Sequence, residues 1–340
     1  MKLNYARDEI PTLKRRILSA LPPHAQKSRP ERAFLLVPLI ILVLLGSAAI
    51  VALPLPLLLK APISLVIGVL YASLLFLGHD ISHGSVVRTR WLQDLLALPC
   101  FFVFLLSPQL WRNWHVRAHH SSYNVKGRDP DIYGGTDDVK STPLSSIVAR
   151  MAPGSGQPLS ALFLFGWFTI FGQIVLWSVS RKLPGFHRLR RGQAAAVSGI
   201  MLILWGYIYV AVGPLNAIFV ILMPMLVANG VAMAHIITNH QLRPLTNDPS
   251  PLDGSMSVTT PRASDWIFHN FSHHTEHHLF PSMSSIYFPE VRRLLRQFVP
   301  VQYKSPSLLK ALLVVYLSSS SDKDAGTLTE LADQRKRVVP

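Results

Sequence analysis

Four long apolar runs without a charged side chain constrain this fold most strongly. They cover residues 34–53, 62–78, 195–212 and 214–234. About 20 apolar residues in a helix cross the hydrocarbon core of a bilayer. A helix also satisfies its own backbone hydrogen bonds, which lipid cannot do. The sequence therefore predicts an all-α integral membrane protein with four transmembrane helices at these positions.

Two further apolar segments are interpreted differently. Residues 95–107 are too short to cross a bilayer and are predicted to be re-entrant or interfacial. Residues 160–180 are long enough, but the segment 181–192 that follows them is strongly basic, and basic loops stay in the cytoplasm. We therefore expect residues 160–180 to lie in the membrane or dip into it without crossing. Every histidine-rich segment then falls on one face, forming a cytoplasmic histidine-rich cap.

The basic side chains indicate orientation rather than nucleic-acid binding. Lys and Arg number 33 against 18 acidic residues, a net charge of +15, but they flank the apolar runs as cytoplasmic loops do. The first 32 residues hold eight of them, whereas only Lys60 lies between the first two spans. Both termini are therefore predicted to be cytoplasmic. The expected organisation is a basic tail at 1–33, a membrane domain at 34–300, and an amphipathic segment with a polar, loosely ordered tail at 301–340.

Histidine, rather than cysteine, is the candidate metal ligand. The single cysteine, Cys100, lies in an apolar segment and is predicted to be a small buried hydrophobe, so intrachain disulfides are excluded. Of the 14 histidines, His24 and His187 stand apart and are predicted to be solvated. The others form four groups: His79 and His83; His115, His119 and His120; His235 and His240; and His269, His273, His274, His277 and His278.

Their spacing predicts shared metal ions. His79 and His83, like His115 and His119, are four residues apart, so on a helix each pair projects from one face. One such pair at a membrane boundary also occurs in plain interfacial helices, but several together favour a metal site. Neutral imidazole suits iron, copper, zinc and nickel. Eight or nine imidazoles exceed the needs of one tetrahedral zinc ion and match two ions of higher coordination.

Three of these segments resemble the histidine boxes of the membrane fatty acid desaturase family. They are "HDISH" (79–83), "HVRAHH" (115–120) and "HTEHHLFP" (274–281), called here box one, box two and box three. The resemblance covers roughly residues 34–300. It implies two non-haem iron ions at the cytoplasmic ends of four spans, with O2 as co-substrate. The metal ligands it implies are His79, His83, His115, His119, His120, His240, His274, His277 and His278.

The resemblance also implies partners. The substrate would be an acyl chain carried by a lipid, coenzyme A or acyl-carrier protein. No haem-binding "HPGG" element is present, so electrons would come from a separate ferredoxin, cytochrome b5 or similar protein. Residues near the boxes could orient the ligand rings, although each carboxylate also fits a helix cap or a salt bridge. These candidates are Asp80, Asp129, Asp131, His235, His269, His273 and Glu276.

Some alternatives remain open from the sequence. Trp111, Trp114 and Trp266 could line an acyl tunnel or form a membrane-interface belt. The same boxes occur in fatty acid hydroxylases and in carotenoid ketolases and hydroxylases. A membrane metal transporter or haem electron carrier is a more remote alternative, because a transporter buries its ligands in the middle of spans. Here the histidines lie at span ends.

Overall fold

A computed structural model describes residues 9–125, 127–131, 158–245, 247 and 250–317. The polar tail expected after about residue 318 lies outside this part. The described chain is helical and contains no strand. The sequence prediction of an all-α fold is confirmed there.

Four helices in the described residues are long and apolar enough to cross a membrane. They are span 1 (Pro30–Ala52), span 2 (Leu57–Ser82), span 3 (Arg191–Val212) and span 4 (Pro214–His240). Each contains one predicted apolar run, and spans 2 and 4 continue well past the end of theirs. The 26 residues of span 2 measure about 39 Å, compared with about 30 Å for a hydrocarbon core. Spans 2 and 4 are therefore long enough for their last turns, which carry His79 and His240, to extend beyond the lipid tails.

Spans 2 and 4 form the centre of the membrane domain. Their apolar windows are 56% and 50% buried, compared with 17% for span 1 and 11% for span 3. Gly68 permits the close contact, because a Cβ atom there would lie 2.5 Å from Cβ of Val227. Spans 1 and 3 consequently turn most of their apolar surface outward, as lipid-facing helices do.

A bent pair of helices, Arg90–Phe104 and Pro108–Ser122, brings box two to the end of span 2. The two helices meet at 97°, and Leu105 adopts a left-handed conformation at the bend. Pro108 begins the second helix at a position where its missing N–H is not needed. Cys100 is fully buried in the first helix, as predicted, and packs against Gly78 of span 2.

The segment at 160–180 is divided into short pieces. A 3-10 helix at Pro158–Phe165 is followed by an α-helix at Trp167–Ile174 and a π-helical stretch at Val175–Val179. The 3-10 and α-helical pieces contact span 4. Among the described helices, none of these pieces reaches the length of a span.

Two amphipathic helices cover box three on the side away from the spans. The helix Ile10–Ala20 buries Leu13 and Ile17, and the helix Phe288–Phe298 buries Val291, Leu294 and Leu295 in the same apolar cluster. Leu279 and Phe280 of box three belong to that cluster too. Another short apolar helix, Leu308–Leu317, contacts span 4.

Candidate metal centre

Seven box histidines and His240 converge into two groups of four whose ligand atoms lie within 4.8 Å of one another, counted among the described residues. The first group contains His79, His83, His115 and His277. The second group contains His119, His240, His274 and His278. Each group combines side chains from three separate parts of the chain. The fold, rather than any single motif, therefore builds both sites.

In the first group, box one at the end of span 2 supplies two rings, and boxes two and three supply one each. The ring centroids of His79 and His83 are 4.6 Å apart, and Nε2 of His79 lies 3.0 Å from Nε2 of His115. His277 completes the group with its ring 4.4 Å from that of His79. The ring nitrogens therefore face a common centre.

In the second group, the last residue of span 4 meets box three. Nε2 of His240 lies 2.7 Å from Nε2 of His274, which in turn lies 3.0 Å from Nε2 of His278. The His119 ring approaches from box two, 4.6 Å from that of His240. All four side chains are buried.

His120 lies between the two groups. Its Nε2 is 3.3 Å from Nε2 of His115 and 2.9 Å from Nε2 of His277, both in the first group. Its ring stacks on that of His278, in the second group, at 4.4 Å. The structure thus brings all nine predicted ligand histidines together.

Box two is not the α-helix that the four-residue spacing predicted. Residues Arg112–His119 form a π-helix, in which hydrogen bonds join residues five apart. His115 and His119 lie four residues apart and their rings stack at 5.1 Å, yet they belong to different four-histidine groups. Box three also divides: on the helix His274–Leu279, His274 and His278 share one group and His277 joins the other. Pairs four residues apart therefore share a four-histidine group at His79 and His83 and at His274 and His278, but not at His115 and His119.

The protonation of these rings suits a metal ion. Burial, followed by repulsion between neighbouring rings, lowers the pKa well below the ordinary value of 6.5 at His83, His274, His277 and His278. Neutral imidazole is the form that binds metal. In the described part of the chain, the buried Nε2 atoms of His83 and His119 have no hydrogen-bond partner. Clustered neutral rings with unpaired nitrogens fit metal ions in both groups.

Two carboxylates orient His119 of box two. Asp129 accepts a hydrogen bond from Nδ1 of His119 at 2.9 Å, and a carboxylate oxygen of Asp131 lies 3.2 Å from the same nitrogen. The backbone N–H of Asn124 donates to Asp129 and fixes it in turn. Burial raises the pKa of Asp131 to about 6, and the neighbouring Asp129 carboxylate adds to the rise. A proton held on Nδ1 leaves Nε2 of His119 free for a metal.

Asp80 connects box one to the start of span 1. Its carboxylate lies 3.4 Å from Nδ1 of His79, 2.6 Å from a guanidinium nitrogen of Arg32 and 2.7 Å from the hydroxyl of Ser285. Both charged side chains of this ion pair are only 8% exposed. Sequence reasoning counted Arg32 only as one charge of a basic tail. Nothing in the sequence indicated that it pairs with a residue 48 positions later.

Glu276 points away from the histidine groups. It accepts hydrogen bonds from the Tyr303 hydroxyl at 2.6 Å, from Nε of Arg292 at 3.1 Å and from the hydroxyl of Ser257. Arg292 also donates to the backbone carbonyl of Ser272. Glu276 thus anchors the box three helix to its covering helix.

In the described part of the chain, Nδ1 of His274 and His278 has no partner. The sequence analysis did not identify Arg292 or Tyr303 as partners of box three. The only indication for Arg292 is the amphipathic pattern of its helix, Phe288–Phe298.

The three remaining histidine candidates lie beside the groups rather than within them. His235 donates from Nδ1 to the carbonyl of Val231 inside span 4. Nε2 of His269 lies 3.2 Å from the Ser73 hydroxyl, and Nδ1 of His273 lies 3.0 Å from the Ser272 hydroxyl. His24 and His187 are exposed, in line with the expectation that they are solvated.

The tryptophans have separate roles. Trp111 is buried and stacks on the His115 ring at 4.5 Å with an angle of 9° between the planes. Trp114 is also buried and donates to Asp131 at 2.5 Å. A membrane-interface belt therefore does not explain these two. Trp266 is 82% exposed and fits that explanation.

Fold and site together define an integral membrane protein with a histidine-lined metal site. The sequence profile of the fatty acid desaturase family matches residues 55–306, and the chain belongs to that family. The protein is therefore a fatty acid desaturase, an oxidoreductase. The resemblance seen in the three histidine boxes is confirmed.

Curated relatives are distant but cover most of the membrane domain. The chain is 23% identical to the sn-1 linoleoyl-lipid 6-desaturase of Synechocystis over 69% of its own length and 72% of the relative's. It is 25% identical to the Delta(8)-fatty-acid desaturase of Euglena gracilis, over 65% of this chain and 57% of the relative. The Delta(5) fatty acid desaturase of Caenorhabditis elegans is also 25% identical, over 70% of this chain and 57% of the relative.

Proposed function

We propose that this protein inserts a double bond into the acyl chain of a membrane lipid, using O2 and a pair of non-haem iron ions. The observation that carries the proposal is the pair of four-histidine groups, each with ligand atoms within 4.8 Å of one another. All-nitrogen sites of this kind suit iron better than magnesium or calcium, which prefer oxygen ligands. Residues 34–300 would form the desaturase domain.

The histidines divide the work of holding two ions. His79, His83, His115 and His277 would hold one ion, and His119, His240, His274 and His278 would hold the other. His120, within reach of both groups, would complete the set. With O2, two bound irons would supply the oxidising power needed to remove hydrogen from two adjacent unactivated methylenes.

The protein's own residues set the conditions for that chemistry. Asp129 holds a proton on Nδ1 of His119, which keeps Nε2 directed at the metal. Arg32 neutralises Asp80 behind box one, so that no unpaired charge is buried next to His79. The Trp111 ring covers one face of His115 and excludes water there. A rigid and dry ligand set is what an oxidising centre requires.

An acyl lipid substrate and a cytoplasmic site are supported by position and charge. His79 and His240 lie in the last turns of spans 2 and 4 and the other ligand histidines gather around them, so we expect the site near the depth where lipid chains meet their headgroups. The basic residues near the N-terminus favour a cytoplasmic location for that end and for the boxes. The Synechocystis relative is named for acting on a linoleoyl lipid. Electrons would come from a separate ferredoxin, cytochrome b5 or similar donor.

Lipid profiling of a host that expresses the protein tests this proposal. We expect a new double bond in an acyl chain with no added oxygen, and no new product with the His277→Ala variant. A new hydroxyl or keto group would instead support a hydroxylase or a carotenoid ketolase on the same scaffold. Comparing intact lipids, acyl-coenzyme A and acyl-carrier protein early after induction identifies the carrier, since the true substrate acquires the double bond first.

A further inference from the structure

A groove of about 600 Å³ lies between span 1 and the short helix Arg262–Ile267. One wall is apolar and is formed by Leu35, Leu39 and Leu42 of span 1 together with Leu70 of span 2. The opposite wall is polar and includes Arg262, Asp265 and His269, with Trp266 at the rim. The groove is therefore amphipathic along its length, with a volume in the range of small-molecule sites.

The apolar wall faces the bilayer. Leu35 is 39% exposed and Leu42 is 50% exposed, and only 17% of the apolar window of span 1 is buried. Because the groove opens on a lipid-facing helix, the surrounding molecules are membrane lipids. We therefore expect an acyl chain to fill it. Water is a poor occupant, because the leucine wall offers it no hydrogen bonds.

The polar wall leaves one cation without a partner. Arg32 is neutralised by Asp80, and burial lowers the pKa of His269 to about 4, so this ring is uncharged at neutral pH. Asp265 accepts hydrogen bonds from the hydroxyls of Thr260 and Ser272. Arg262 is exposed and, among the described residues, makes no hydrogen bond or ion pair.

Arg262 and Trp266 are placed as a headgroup site would be. Both are exposed on one short helix, beside the cytoplasmic end proposed for span 1. An arginine fork binds phosphate oxygens in pairs, and tryptophan settles at the level of lipid headgroups. Arg262 lies near Asp265, whose carboxylate already accepts hydrogen bonds from two hydroxyls. The rim of the groove therefore favours binding of a phosphate over binding of an amine.

We propose that this groove binds one glycerophospholipid from the bilayer, with an acyl chain along the leucines of span 1 and the phosphate on Arg262. The site lies outside the proposed reaction. None of the nine proposed ligand histidines lines the groove, although Arg32 in its wall pairs with Asp80 of box one. The lipid bound here is thus recognised by its phosphate and not by the metal centre.

Native mass spectrometry of the iron-loaded protein in detergent tests the site. The probes are dioleoylphosphatidylethanolamine and dioleoylglycerol, which share acyl chains and differ in the phosphate. We expect one retained phospholipid per chain and about tenfold weaker binding of dioleoylglycerol, the effect of losing one charge-assisted contact. Arg262→Glu should weaken phospholipid binding by at least as much. Arg181→Glu, which changes an exposed arginine elsewhere, should leave it unchanged.

A second variant locates the acyl chain. Leu42→Trp fills the groove without touching Arg262 and should also displace the lipid, while iron content shows that either variant is folded. A phospholipid with a photoreactive acyl chain should crosslink to span 1 near Leu39. Equal binding of both probes, wild-type binding by Arg262→Glu, crosslinks confined to other spans, or crosslinks between two copies of the chain through this groove would each overturn the proposal.

Discussion

Replacing Arg292 with methionine tests how box three is held in place. The change keeps an unbranched aliphatic stem but removes the hydrogen bonds of Arg292 to Glu276 at 3.1 Å and to the carbonyls of Val258 and Ser272 at 3.0 and 3.1 Å. The Glu276 side chain is 0% exposed, so its charge would be left buried with hydroxyl donors alone. Breaking a buried ion pair in this way costs about 3–5 kcal/mol.

The assay is the apparent thermal midpoint in detergent at a fixed scan rate, combined with iron content. A loss of about 3–5 kcal/mol lowers the midpoint by roughly 4–7 °C in a chain of 340 residues, given an unfolding entropy of about 2.1 cal/mol/K per residue. Iron content should fall as well, because box three carries ligands for both groups. The double variant Arg292→Met with Glu276→Gln removes the stranded charge and should recover about half of the loss.

Arg293 provides a matched control at the next position. It pairs with Glu290, but the two side chains are 61% and 43% exposed. Arg293→Met should therefore leave the midpoint and the iron content unchanged, because exposed pairs are screened by solvent. Equal effects of Arg292→Met and Arg293→Met would refute the idea that the Glu276 pair anchors box three.

Acid pH gives an independent check on the same pair. Burial alone would raise the pKa of Glu276, but the Arg292 guanidinium beside it holds that pKa below its ordinary value of 4.5. A carboxyl with a lowered pKa adds stability above its unfolded value, and this contribution is lost as pH falls through the folded value. The difference in midpoint between wild type and Arg292→Met should therefore be largest at neutral pH and shrink below about pH 4.5. A constant difference across this range would contradict the ion-pair explanation.

Other predictions address the ligands, their orientation and the packing of the spans. His277→Ala should abolish turnover and lower bound iron, and full iron in this variant would exclude His277 as a ligand. His187→Ala, which changes an exposed ring, should alter neither quantity. Asp129→Asn should reduce activity or iron affinity about 10–100-fold by weakening the orientation of a ligand ring, as metal titration would measure. Gly68→Val should destabilise the protein by about 1–3 kcal/mol or more through overpacking against span 4. Gly199→Val, in open space on span 3, should be tolerated, and equal midpoints for the two variants would disprove the close span contact.

Sequence reasoning located the spans and the histidine clusters because both depend on local pattern. An uncharged apolar run is visible residue by residue, and each predicted run lies within a helix of the structure. The boxes were visible because histidine is rare and was clustered. Span ends were less predictable, since spans 2 and 4 extend past their apolar runs to carry His79 and His240.

The distribution of ligands between the two groups depends on geometry that the sequence does not show. His115 and His119 belong to different groups although they are four residues apart and their rings stack at 5.1 Å. Long-range partners were invisible for a similar reason. Arg32 and Asp80 pair across 48 positions, and Glu276 and Arg292 bond across 16. The sequence does not show that these charges are buried together, because each pair meets only in the folded protein.

Iron analysis of the protein, purified and loaded without oxygen, tests the central claim most directly. Mössbauer spectroscopy of wild type should show about two non-haem irons per chain with nitrogen-rich coordination, matching the two histidine groups. His83→Ala and His278→Ala, which alter different groups, should each deplete mainly one of the two iron signals. A single iron per chain, a haem spectrum, or full occupancy of both signals in these variants would contradict a centre built from two groups of four histidines.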